Sequence, residues 1–160
     1  EIEYAKTNFY ILDAQRYFVK NSFDFVIETL GVYTNNHIVK KACMVMQDKL
    51  SNLKNNIDDK KMVSIEQSVV IMKNCWDVIL INEDYTLGKA LEFYLYEHFY
   101  NSKDNKKLNF CAFKKLHPHD SSSRVRIAYL HKVSENEFAQ DLIEACRELQ
   151  EVYVAIHKMF

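Results

Sequence analysis

From Phe23 to Glu28 the chain alternates, with Phe23, Phe25 and Ile27 on one side and Asp24 and Glu28 on the other. A period of two predicts a strand. Gly31 then predicts a turn, and Asn35 or Asn36 can cap a helix beginning there. Between His37 and Leu53 the period changes: Val39, Ala42, Cys43, Met46, Leu50 and Leu53 recur at helical spacing. The run "NLKNNIDDKK" is mostly polar and reads as the best linker in the chain. Residues Met62 to Met72 and Trp76 to Ile81 are rich in β-branched residues and read as two strands. Before Asn21, "FYIL" and "RYFV" carry a weaker strand pattern.

A second helix opens after "INEDYT", capped by Asp84 or Thr86, with Leu87, Leu91, Tyr94, Leu95 and His98 as its buried stripe. Leu108–Leu116 and Arg124–Lys132 predict a hairpin around "HPHDSS". The last helix has the clearest start, because Ser134 and Glu137 are spaced as a capping box. Its stripe is Phe138, Leu142, Cys146, Leu149, Tyr153, Ile156 and Phe160. A helix of about 25 residues spans roughly 37 Å at 1.5 Å per residue. That is long for a domain this small, so part of its apolar face is expected to meet something beyond its own sheet. The whole pattern predicts an α+β fold: an antiparallel sheet with long helices packed on one face.

Composition narrows the classes. At 160 residues and 48% hydrophobic content the chain suits one domain or two small ones, and is no disordered sequence. A net charge of −1 gives no whole-chain attraction to nucleic acid or to an anionic membrane. No apolar run approaches the roughly 20 residues that span a bilayer. The four cysteines, Cys43, Cys75, Cys111 and Cys146, stand singly in apolar stretches. They read as small buried hydrophobes in a reducing compartment, without a disulfide or a structural zinc. The chain begins at Glu1 and reads as part of a longer protein.

Candidate chemistry is sparse. His117 and His119, two apart on an extended segment with Asp120 beside them, suit a metal-dependent hydrolase, but a metal needs three or four ligands. Ser121, Ser122 and Ser123 lack a nucleophile elbow. Two glycines in the whole chain leave no phosphate-cradling loop. Lys103, Lys106, Lys107, Lys114, Lys115, Arg124 and Arg126, interleaved with Phe110 and Phe113, suit a single-strand nucleic-acid binder or one charged face of a hairpin. No catalytic residue, metal or cofactor is expected.

One of the two glycines, Gly88, sits a turn inside the second helix, where glycine costs about 0.5–1 kcal/mol relative to alanine. "EDYTLG", Glu83 to Gly88, follows a strand and opens a helix, and resembles the E-D-x-T-L-G motif of the eleventh-subunit family of eukaryotic RNA polymerase II. Archaeal subunit L and the dimerisation domain of the bacterial alpha subunit share that superfamily. "CAFKKLHPHDSSSRVRI" is similar to the family's His-Pro hairpin, and the capped helix to Phe160 to its last helix. "FDFVIETLG" with "HIVKKACMVMQDKL" resembles the closing strand and helix of the third subunit, the usual partner. Both in one chain resemble the fused subunit of large cytoplasmic DNA viruses. Tyr85 replaces the usual histidine, Lys89 the usual asparagine, and no cysteine set matches the third subunit's metal loop.

The resemblance implies an intrachain pseudo-heterodimer: residues 1–57 as the end of a third-subunit-like unit and 58–160 as an eleventh-subunit-like domain. It implies a non-catalytic platform in the host cytoplasm and virion, holding the second-largest subunit and small assembly subunits, with self-association of this chain as a further pairing. No membrane partner and no direct nucleic-acid contact are expected. Motif and interface residues would be Glu83, Asp84, Thr86, Leu87, Gly88, His117 and Pro118. Helix pairing would use Val39, Cys43, Met46, Leu50, Leu91, Leu95, Phe138, Leu142, Cys146, Leu149, Tyr153 and Ile156.

Overall fold

Alternation between two faces is clearest in the hairpin. In β4 (Ser122–Tyr129), Val125, Ile127 and Tyr129 are buried, while Arg124 and Arg126 alternate with them and reach Asp77 instead. β2 (Cys75–Ile81) lies antiparallel to β4, with Val78 opposite Val125 and Asp77 opposite Arg126. β3 (Leu108–Lys114) flanks β4 on its other side, Phe113 opposite Val125, with a register shift between Leu108 and Phe110. β1 (Val63–Gln67) pairs antiparallel with β2, giving the order β1-β2-β4-β3. The computed structural model describes the backbone of residues 1–59, 63–67 and 72–160. Of the strand expected over Met62–Met72, Val63–Gln67 is a strand; Met62 and residues 68–71 lie outside the described residues.

Three helices share the core on one face of this sheet, which makes the fold α+β with an antiparallel sheet. α2 (Asn35–Asp59) contributes Met46, Leu50, Leu53 and Ile57. α3 (Tyr85–Leu95) contributes Leu87, Leu91 and Leu95, and α4 (Glu135–Met159) contributes Phe138, Leu142, Ala145, Cys146 and Leu149. The polar run expected as a linker is helical through Asp59. It holds no glycine or proline to stop a helix, and Leu53 and Ile57 extend the stripe begun at Met46 and Leu50. Tertiary burial decided that segment.

After α3 the helix widens into a π turn over Tyr96–Tyr100, closed by the Asn101 N–H donating to Tyr96 O at 2.9 Å. In this wider turn Phe99 is buried where simple helical spacing points to His98, which is half-buried beside Tyr94. At the far end of α4, Tyr153 and Ile156 are half-buried and Phe160 is exposed, so the expected stripe is fully buried only as far as Leu149.

The chain divides into two compact units, Glu1–Asn35 and Asn36–Phe160. α2 thus lies almost wholly in the larger one. The smaller unit opens with α1 (Ile2–Asn8), a π turn over Phe9–Asp13 and a 3-10 turn over Ala14–Arg16, so "FYIL" is helical rather than extended. Residues 22–30 form neither helix nor strand. The strand expected from Phe23 to Glu28 therefore has no ladder, and Phe23 and Phe25 are 76% and 83% exposed. Alternation supplies a strand with a face, but only a neighbouring strand satisfies its backbone.

The caps predicted for α3 and α4 form, whereas Asn35 and Asn36, expected to cap the helix after Gly31, lie within α2, and the Asn35 amide donates to Ile27 O at 2.9 Å. Ser134 Oγ accepts the Glu137 N–H at 3.3 Å, and Glu137 Oε2 accepts the Ser134 N–H at 2.8 Å. Asp84 Oδ1 accepts the Thr86 N–H at 3.1 Å. These backbone donors hold the Asp84 and Glu137 carboxyls below their ordinary values. A carboxyl depressed in the folded state adds stability that is fully present above its unfolded value and is lost as pH falls through the folded one. The Tm of the wild-type chain should therefore drop as pH falls below about 4.5, the ordinary glutamate value. Glu137→Gln should flatten part of that limb in a Tm titration; an unchanged acid limb would show that the cap carries no such coupling. At neutral pH, Ser134→Ala should cost about 1 kcal/mol, as for other N-caps.

Candidate assembly surface at the strand-to-helix turn

β2 ends at Ile81, and Asn82 turns the chain with φ of 59°, a left-handed conformation that asparagine tolerates better than most residues. Its N–H donates to Ser121 O at 2.6 Å, tying the turn to the end of the His-Pro loop. Glu83 joins two more elements. Its carbonyl accepts Ser123 Oγ of β4 at 2.8 Å, and its carboxylate accepts Lys49 Nζ of α2 at 2.6 Å. Asp84 and Thr86 form the exposed cap, and Leu87 points into the core.

Gly88 lies against the ring of Phe113 from β3. A Cβ built on it would overlap the Phe113 Cε2 and Cδ2 atoms, so the bare backbone is what lets α3 sit down on β3. Tyr85 also packs on that ring, edge to face with centroids 5.2 Å apart. The glycine is thus explained within the chain: its Hα replaces a side chain that would separate helix and strand.

The structure brings Glu83, Asp84, Thr86, Leu87 and Gly88 together in one knot that joins α2, α3, β3 and β4. His117 and Pro118 stay exposed in the β3–β4 loop, where the Asp120 N–H donates to His117 O at 3.0 Å. Of the helix-pairing residues, Cys43, Met46, Leu50, Leu91, Leu95, Phe138, Leu142, Cys146 and Leu149 are buried. Val39, Tyr153 and Ile156 are half-buried.

The alternative chemistries find little to work with. The His117 and His119 rings lie 5.2 Å apart, but among the described residues no group of three or more His, Cys, Asp or Glu could hold a metal. Burial pushes the Cys111 and Cys146 thiols up to about 12, so neither is a ready nucleophile. In the basic cluster, Arg126 grips Asp77 with two bonds of 2.7 Å, and Arg124 adds a third at 3.3 Å. Lys107 Nζ meets Asp141 Oδ1 at 2.7 Å, and Phe113 is core rather than a stacking platform. Three of the seven cations therefore answer carboxylates of their own chain.

Sequence reasoning missed Lys49, Asp77, Ser123 and Asp141. The signal for two of them was present: Asp77 interrupts the apolar run "WDVILI", and Asp141 lies three residues beyond Phe138 in the buried stripe. A charge at a core position marks a buried pair. Asp141 indeed accepts the Tyr129 hydroxyl at 3.0 Å as well as Lys107, and burial beside that carboxylate raises the phenol's pKa.

No model of a known protein family matches the chain, and no curated protein matches it. Among the described residues no helix is long and apolar enough to cross a membrane.

Proposed function

We propose that this chain is a non-catalytic assembly subunit of a multisubunit DNA-directed RNA polymerase, joining a third-subunit-like unit to an eleventh-subunit-like domain in one polypeptide. Beyond the motif resemblance, one arrangement supports this reading. α2 and α4 are both 25 residues long and lie side by side: Gln150 Nε2 donates to Gln47 O at 3.0 Å and to Ser51 Oγ at 2.6 Å. Cys43 lies within electrostatic range of Tyr153 and Lys54 within that of Cys146, so the two helices run antiparallel.

The two ends of this pair differ in exposure. Leu50, Leu53 and Ile57 of α2 and Phe138, Leu142 and Ala145 of α4 are buried on the sheet. At the other end Met44 and Val45 of α2, and Val152 and Met159 of α4, are exposed, with Met44 54% exposed and Val152 47%. An antiparallel helix pair has an approximate two-fold axis across it, and a second sheet on that axis would cover the second end. A pseudo-heterodimer requires that arrangement. The order of elements agrees: residues 22–30 precede α2 as β4 precedes α4.

In this reading the platform holds the second-largest subunit and small assembly subunits, and catalysis and magnesium belong to the large subunits. Its location, carried by the resemblance to fused viral subunits alone, is the host cytoplasm and the virion. Affinity purification of the tagged protein from its native cells, followed by mass spectrometry, should recover the two largest polymerase subunits in near-equal amounts. Recovery of neither, from intact soluble protein, would overturn the reading.

A further inference from the structure

α2, α3 and α4 pack on the face of the sheet that carries Val78, Val125 and Phe113. Residues one step along each strand point to the opposite face. There the ladder sets Asp77 opposite Arg126 and Arg126 opposite Ala112, and in the next row Ile79 opposite Arg124 and Arg124 opposite Lys114. Asp77 is 4% exposed although it points away from the helices, because two guanidiniums close over it. The arginines themselves stay accessible, their side chains 30% and 28% exposed. Lys114 is exposed at the end of β3, and among the described residues no carboxylate pairs with it. Like charges directly opposite each other destabilise a sheet. The Lys114–Arg124 pair is thus a cost to the fold that an anionic neighbour would remove.

We propose that the β3–β4 half of this face docks an acidic amphipathic helix of a partner protein. Charge complementarity selects the acid: Arg124, Arg126 and Lys114 stand in adjacent rows around the single Asp77 carboxylate that the described residues set against them. Asp77 already fixes both guanidiniums, so little side-chain freedom is lost when a second carboxylate arrives. Beside the cations lie Ile79, Ala112 and Phe110, all half-buried, and these favour an amphipathic surface over a bare anion. A helix is the form that lays such a stripe across a sheet, as α2, α3 and α4 do on the other face. A nucleic-acid strand would also answer the cations, but its phosphates would leave Ile79 and Ala112 without an apolar neighbour.

The inference does not rest on the polymerase reading, since it uses only this face and its charges. Its test uses the intact chain labelled with ¹⁵N and an acetylated, amidated peptide that repeats the heptad Glu-Leu-Ala-Ala-Leu-Glu-Glu. The same peptide with lysine for every glutamate, and oligothymidylate, serve as probes of other chemistry. The chain's net charge of −1 gives the glutamate peptide no general advantage, so its preference must come from a local surface. It should shift the backbone amides of residues 110–114 and 124–128, and less so as salt rises. The lysine peptide and oligothymidylate should leave those resonances in place. Lys114 is the residue to change, because removing either arginine would unbalance the buried Asp77. Lys114→Glu should weaken the glutamate peptide about tenfold or more. It should also keep or raise the Tm, since it turns the repulsion opposite Arg124 into an attraction. The proposal fails if the glutamate peptide moves no resonance of β3 or β4 up to about 1 mM, or if the lysine peptide moves the same set. It fails equally if Lys114→Glu binds like wild type, or if oligothymidylate moves those resonances, which would assign the face to a nucleic acid.

Discussion

Replacing Gly88 by leucine will destabilise the chain by about 3 kcal/mol or more, because the new side chain needs space that Phe113 fills. Even Gly88→Ala should lose about 1–3 kcal/mol by overpacking. That loss comes despite a helix-propensity gain of up to about 1 kcal/mol for alanine over glycine. The sign therefore separates two accounts of the residue. If Gly88 were only a flexible opening of the helix, alanine would stabilise. With the Phe113 ring directly against it, alanine must displace a ring that is 8% exposed and packed against Tyr85. Urea denaturation of Gly88→Ala, Phe113→Leu and the double variant measures this. The double variant should recover at least 1 kcal/mol relative to the sum of the single losses. A more stable Gly88→Ala, or strictly additive losses, would show that the glycine answers to something other than this ring. In the polymerase reading, a soluble Gly88→Leu protein should also enter the complex poorly, because the same turn orients α2 through Lys49 and Glu83.

The second large effect concerns the seat of α4. Phe138, in its first turn, is fully buried between the stacked ring of Trp76, 5.5 Å away, and the edge of Tyr129 at 6.1 Å. Phe138→Ala removes both contacts and leaves a cavity, a loss of about 3–5 kcal/mol. Trp76 is the only tryptophan, so its fluorescence reports both the unfolding midpoint and the local packing. The variant should show a red-shifted native emission and a lower urea midpoint. An unchanged midpoint would mean that α4 is held chiefly by its distal half and the proposed second unit, not by this sheet.

Local signals in the sequence were enough wherever the physics is local. The capping box at Ser134 and Glu137 and the Asp84 cap are contacts within one turn, and each forms as the spacing dictates. The hairpin, the strand before "EDYTLG" and the helical stripe through Leu87, Leu91 and Leu95 follow from period alone. That set the fold class. The residues of the turn were also legible, but not their contacts: Glu83 finds Lys49 34 residues away, and Ser123 lies 40 residues from Glu83. The Asp77–Arg126 pair spans 49 residues and depends on a strand register that no local pattern encodes.

Tertiary structure decided the remainder. The helix through "NLKNNIDD" exists because Leu53 and Ile57 find a core, and the gain from burying them outweighs the weak helix propensity of its asparagines and aspartates. The segment 22–30 has the opposite fate: its alternation is among the clearest in the chain, yet without a neighbouring strand it stays unpaired. The bare backbone at Gly88 was visible as a cost in the sequence, and only the arrival of Phe113 from β3 gives the reason. Period and capping are properties of a few consecutive residues, so the sequence alone determines them. Which apolar stripe is buried, and against which partner, depends on contacts between distant residues, and these exist only once the chain has folded.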